Sequence, residues 1–152
     1  ASPRGAFLEP GSTPGGGGRA EWRRAESPPA NGHATAQALA RLMGALASGG
    51  DLDGRTVLSP PAIAQMARQR IAGQDLVLPF VMSWGAGVMR NQALHPWGPG
   101  DETFGHSGWG GSCAFADPQT GLAGAYVMNR QSAHLLGDPR AKRLIAAAYS
   151  AI

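Results

Sequence analysis

Thr103-Phe104-Gly105-His106-Ser107-Gly108-Trp109-Gly110-Gly111-Ser112, with the turn Asp117-Pro118-Gln119-Thr120-Gly121 and the run Ala125-Tyr126-Val127-Met128-Asn129-Arg130 behind it, decides how this chain is read. Phe104 to Ala116 and Leu122 to Asn129 are two strand-like runs. Between them, Pro118 and Gly121 stand where a hairpin turn needs a fixed and a positive φ respectively. The two runs are therefore expected to pair antiparallel. Gly108, Gly110 and Gly111 suit a backbone that another group must approach closely.

Working outward, Asp138-Pro139 is a helix cap followed by proline at the first helical position, and Ala141, Leu144, Ile145, Ala148, Tyr149 and Ile152 fall on one face. This predicts a terminal helix packed on the sheet. Upstream, Leu76 to Met89 reads as a strand interrupted at Gly85-Ala86-Gly87, and residues 91–102, with Pro96, Gly98, Pro99 and Gly100, form a loop. Leu39, Leu42, Met43 and Leu46 recur at helical spacing within Ala34–Ser48, and Gly49-Gly50 supplies the stop. A turn at Asp51–Gly54 leads to Ser59-Pro60, which opens a second helix running to about Arg70 with Ile63, Met66 and Ala67 inward. Residues 1–30 hold five Pro and six Gly, including Gly15–Gly18, and read as an extended loop from which Phe7 and Trp22 could dock; ordered structure is expected over 31–152. The predicted class is α+β, an antiparallel sheet flanked by helices.

Composition narrows the function. A chain of 152 residues suits one domain or part of a larger one. Its formal charge is +3 and charged residues make up 15%, with the arginines scattered among carboxylates and Lys142 the single lysine. No basic stripe exists, so nucleic acid is not an expected partner. The lone cysteine, Cys113, excludes an intrachain disulfide and any multi-cysteine metal site. No stretch is long and apolar enough to span a membrane, and ASPRGAFLEP lacks the apolar core of a signal peptide. The expectation leans to the cytoplasm, with a periplasmic or secreted setting left open.

Other motifs fail on inspection. Gly105-His106-Ser107-Gly108-Trp109 almost spells a nucleophile elbow, but its fifth residue is Trp and a strand, not a helix, is expected after it. Gly15–Gly18 has no following Lys-Ser/Thr, so it is no phosphate cradle. His33, His95, His106 and His134 show no metal-ligand spacing, and neither metal nor cofactor is expected.

The ordered set of Asn31-Gly32-His33-Ala34-Thr35, Leu58-Ser59-Pro60, Ser83-Trp84-Gly85-Ala86-Gly87, His106-Ser107-Gly108 and the terminal helix resembles the serine β-lactamase and penicillin-binding-protein superfamily. The resemblance is strongest to its class C-like branch, including β-lactamase-related serine hydrolases and family VIII carboxylesterases, and covers roughly residues 20–152. It implies the C-terminal portion of a β-lactamase/transpeptidase-like fold. His106-Ser107-Gly108 would take the place of the family's Lys-Thr-Gly. The His106 imidazole and Ser107 hydroxyl would bind the substrate acyl portion beside Gly108, and the Trp109 backbone N–H would be an oxyanion-hole donor.

The chain departs from that family in two places. Ser-x-x-Lys, which carries the nucleophile, is absent, since Lys142 has Pro139 three residues before it. The Tyr-x-Asn motif is absent as well. The implied activity is ester hydrolysis through a covalent acyl-enzyme on a small ester or β-lactam-like substrate. The missing groups would lie on a second chain carrying the N-terminal half or on residues outside this one, so that this chain alone does not catalyse acyl transfer. The alternative is a non-catalytic remnant or interaction module of the same fold.

Overall fold

A computed structural model describes residues 20–24, 32–92 and 94–152. Most of the 1–30 segment, Phe7 included, lies outside the described residues; within it, Ala20–Arg24 is a helical turn, α1, where the sequence suggested loop.

Helix α2 covers Ala36–Ala47, capped by Thr35, whose hydroxyl accepts the Ala38 N–H at 3.1 Å. It stops where Gly49 and Gly50 take positive φ. A two-stranded ribbon, β1 (Asp51–Leu52) and β2 (Arg55–Thr56), occupies the expected turn. Helix α3, Pro60–Ala67, ends before Arg70 because the chain turns extended at Arg68 (φ −59°, ψ 132°) and enters a strand not foreseen from the sequence. That strand is β3, Ile71–Gln74. It is followed by β4 (Val81–Trp84), β5 (Met89–Arg90), β6 (Phe104–Ser107), β7 (Cys113–Ala116) and β8 (Ala123–Tyr126), and helix α4 spans Pro139–Tyr149.

Among the described residues the sheet has six strands in the order β3-β4-β5-β6-β7-β8, each antiparallel to its neighbour in the chain. Two expectations need correction. Phe104–Ala116 is not one strand but a hairpin, with Phe104 facing Ala116 and Ser107 facing Cys113. Leu76–Met89 likewise divides into β4 and β5, because Gly85–Val88 turns the chain: the Gly85 N–H bonds back to Val88 O at 2.9 Å. The expected pairing across Asp117–Gly121 is present, between β7 and β8.

Alternation along the strands sends side chains to two cores. Phe104 and Ala116 join Met43, Ala47 and Ile63 beneath α2 and α3. Phe115, Cys113, Met82 and Met89 join Trp97, Ala141 and Ile145 beneath α4. The sheet is thus covered on both faces. On α4 only Ala141 and Ile145 are fully buried; Leu144 and Ile152, expected inward, are 61% and 72% exposed, because the helix rests on the sheet by a narrower strip than its apolar stripe. Asn91, fully buried, shapes the 91–103 loop by donating to Gly98 O (2.9 Å) and Gly100 O (2.8 Å) and accepting the Trp97 N–H.

Candidate active site

The four residues singled out in the sequence sit together where β6 leaves the sheet. His106 is exposed, Ser107 and Gly108 are half-buried, and Trp109 is 60% exposed. No helix follows Ser107: a tight turn reverses the chain into β7, and the nucleophile-elbow reading fails on geometry as well as on sequence. The turn is closed by Gly108 N–H donating to Ser112 O at 2.7 Å and Gly111 N–H donating to Gly108 O at 3.2 Å. Gly110 and Gly111 adopt φ of +95° and +112°, and a Cβ on Gly111 would stand 2.2 Å from Asp138 Oδ2. The glycines after Trp109 are therefore required by the turn.

His106 is held by the carbonyl of the next residue and by a ring. Its Nδ1 lies 2.9 Å from Ser107 O. A carbonyl can only accept, so Nδ1 carries the proton in this bond and neutral imidazole keeps its lone pair on Nε2. The ring lies 5.7 Å from that of Trp84, tilted by 34°. Trp84 is anchored in turn: its Nε1–H donates to Asp75 Oδ2 at 3.0 Å, while the Val77 and Leu78 N–H groups both donate to Asp75 Oδ1 at 2.9 Å. The Leu78 and Val77 amides hold the Asp75 carboxyl below the ordinary carboxylate range.

Behind the turn lies a polar anchor. Ser132 N–H donates to Gly110 O at 2.8 Å, and Gly110 N–H to His134 O at 3.3 Å. Ser132 Oγ donates to Asp138 Oδ2 at 2.7 Å, and Arg140 adds bonds to both Asp138 oxygens from Nε (3.0 Å) and Nη2 (2.7 Å). The Arg140 guanidinium and the Ser132 hydroxyl keep the Asp138 carboxyl far below the usual range. Between the turn and α4 remains a cavity of about 10 Å³, no larger than a single water needs. Cys113 beside it has its thiol pushed up by burial.

Nothing among the described residues supplies a nucleophile paired with a base beside His106. Tyr149 donates to buried Asp117 at 2.7 Å, and Tyr126 lies under the Arg140 guanidinium. No group of three His, Cys, Asp or Glu side chains among the described residues could hold a metal ion, and no described helix is long and apolar enough to cross a membrane. A groove of about 800 Å³ opens at the far end of β6, between α2 and α3, lined by Ile63, Phe104, Arg90 and Glu102 among others; it includes none of His106–Trp109 and no nucleophile, so the chemistry is not placed there. Two contributors escaped sequence reading. Trp84 stood within a motif quoted for resemblance alone, and Asp138 was legible only as a helix cap, since no local pattern announces that Ser132 and Gly110 meet.

Comparison with known proteins identifies the family. Residues 2–148 match the family model described as Beta-lactamase. The chain is 40% identical over 124 residues to the esterase/beta-lactamase LipL of Mycobacterium tuberculosis (strain ATCC 25618 / H37Rv), covering 80% of this chain and 28% of that protein. A crystal structure of a penicillin-binding protein homolog from Caulobacter crescentus superposes with a TM-score of 0.90 at 61% identity, over 97% of this chain and 39% of that one. A family VIII carboxylesterase follows at 0.72 and 42% identity, over 75% of this chain and 31% of that one. The chain thus spans well under half the length of each of these relatives. Its antiparallel sheet between helices is the β-lactamase/transpeptidase-like fold, and the chain belongs to the Beta-lactamase family of serine hydrolases.

Proposed function

We propose that this chain forms the substrate-facing wall of an ester-hydrolysing serine enzyme, with the nucleophilic serine, its lysine and the tyrosine supplied by sequence outside this chain. The observation that carries the reading is the His106-Ser107-Gly108-Trp109 run, where an exposed imidazole and a hydroxyl at the end of β6 stand beside a backbone amide of the turn that follows. LipL, described as an esterase/beta-lactamase, and the carboxylesterase neighbour support the ester branch.

In this mechanism the serine oxygen attacks the ester carbonyl carbon, and charge develops on the carbonyl oxygen. The Trp109 N–H donates to that oxyanion, and a single such donor is worth about 3–4 kcal/mol in the transition state. The carbon–alkoxy bond breaks, the alcohol leaves with a proton, and water then hydrolyses the acyl-enzyme. His106 and the Ser107 hydroxyl bind the acyl portion. With a histidine where the resembled motif has a lysine, the wall carries no lysine ammonium to attract a carboxylate, and it favours neutral esters.

The test is turnover of a short-chain nitrophenyl ester by the full-length protein and by the 152-residue chain. The reading expects turnover by the former and none by the latter. Turnover by the isolated chain, or its absence from the full-length protein, would refute it; the second outcome would favour a non-catalytic module.

A further inference from the structure

We propose that Asp138 is a positioning residue for the site: its carboxylate, acting through Ser132, fixes the 108–112 turn and with it the direction of the Trp109 N–H. The inference rests on the functional reading above and extends it to residues remote from His106 in sequence. Trp109 lies between Gly108 and Gly110, and each neighbour is tied. Gly108 bonds within the turn to Ser112. Gly110 is tied outward, its carbonyl to Ser132 N–H and its amide to His134 O. The 130–134 segment therefore sets where Gly110 sits.

That segment is itself held by Asp138. The Ser132 hydroxyl, 2.7 Å from Oδ2, gives its one proton to the charged acceptor in preference to Gly110 O at 3.2 Å. Arg140, gripped by both Asp138 oxygens, donates from Nη1 to Arg130 O at 2.9 Å, which closes the segment from its other end. Asp138 is 3% exposed and caps α4 through the Arg140 N–H at 2.8 Å, so its position is set by the helix. Gly111 lies against Oδ2 with no room for a Cβ, and the turn thus rests directly on the carboxylate. A rigid helix end, one carboxylate and one serine transmit a fixed position to the amide that would meet the oxyanion.

The amide substitution Asp138→Asn keeps the shape but turns one accepting oxygen into an NH₂ facing donors. In the full-length protein it is expected to lower kcat on a nitrophenyl ester by about tenfold to a hundredfold, with KM within about twofold, because misplacing a group by about 1 Å is enough for such a loss. Ser132→Ala should shift both readouts in the same direction by less. Tyr149→Phe loosens the other end of α4 without touching the turn and should leave kcat unchanged. Hydrogen exchange read by mass spectrometry over residues 107–112 supplies a measurement independent of activity: it should quicken in Asp138→Asn and Ser132→Ala and not in Tyr149→Phe. Unchanged exchange in the first two variants, or an equal fall in kcat in all three, would overturn the proposal. Should the wild-type protein turn over no ester, the functional reading fails, and the exchange data still decide whether Asp138 holds the turn.

Discussion

Removing one oxygen from Tyr149 tests the packing of α4 against the sheet. Its hydroxyl donates to Asp117 Oδ2 at 2.7 Å, and Asp117 is 1% exposed. Phe keeps the ring that packs on Gly98 and Phe115, so Tyr149→Phe isolates the bond. After the change Oδ1 retains the Gln119 and Thr120 N–H groups at 3.0 and 3.4 Å, while Oδ2 loses its donor. A bond to a charged group contributes about 1.5–3 kcal/mol, and half-buried Tyr149 lets water restore part of it, which places the loss near the lower end. For a chain of this size the melting temperature should fall by about 3–8 °C at pH 8, measured by circular dichroism. The loss should also depend on pH. Burial and the Asp117 bond push the Tyr149 hydroxyl up to about 12 from its ordinary value of 10.0. A raised folded pKa means that its contribution is complete below pH 10 and disappears as pH climbs towards 12. The wild-type and Phe variants should therefore differ steadily up to pH 10 and converge above it. The Cys113 thiol, also raised, titrates in both and cancels. A difference that survives at pH 12, or none at pH 8, would refute the reasoning.

On the acid side, burial opposes the Asp117 charge, but Tyr149, Gln119 and Thr120 donate to it and hold its carboxyl below the ordinary value; Arg140 and Ser132 do the same for Asp138. Both contribute stability above pH 4 that is lost as pH falls through their lowered values, so acid titration of Asp138→Asn should show a shallower decline than wild type. His106→Ala in the full-length protein should lower kcat/KM by about twofold to tenfold, the worth of one hydrogen bond to a neutral group, with the fold unchanged by circular dichroism. Trp109→Ala should alter the range of acyl groups accepted while Trp109→Pro, which removes the N–H, should lower kcat by about 10²–10³; equal losses in two folded variants would argue against an oxyanion role for that amide.

The helices were legible because capping and period act within a few residues. Ser59-Pro60 and Asp138-Pro139 each mark a helix start that the structure repeats, and the apolar period of Ala34–Ser48 marks the body of α2. The sheet was half legible. Pro118 and Gly121 announced the β7–β8 turn, whereas Gly108–Ser112 concealed one, because glycines required for positive φ look the same in sequence as glycines that admit a substrate. Strand β3 was missed for another reason: Ile71–Gln74 is exposed throughout, so no alternation marks it, and it is recruited by pairing with β4. At the site, His106 to Trp109 were contiguous and could be named together, but Trp84 and Asp138 reach it only through tertiary contacts.

The chain-order meander of the sheet also bears on how this protein acquires its structure. Each of the six strands finds its partner in the adjacent segment, so loop closure between β3 and β8 is never long. Helix α2 is different, since its Met43 and Ala47 must meet Phe104 and Ala116 across a long intervening stretch of chain. Low contact order in the sheet and high contact order at α2 predict that the strands assemble first and the helix docks late. Truncating Phe115 should then slow folding, whereas truncating Met43 should mainly hasten unfolding; the reverse pattern in stopped-flow kinetics would contradict that sequence of events.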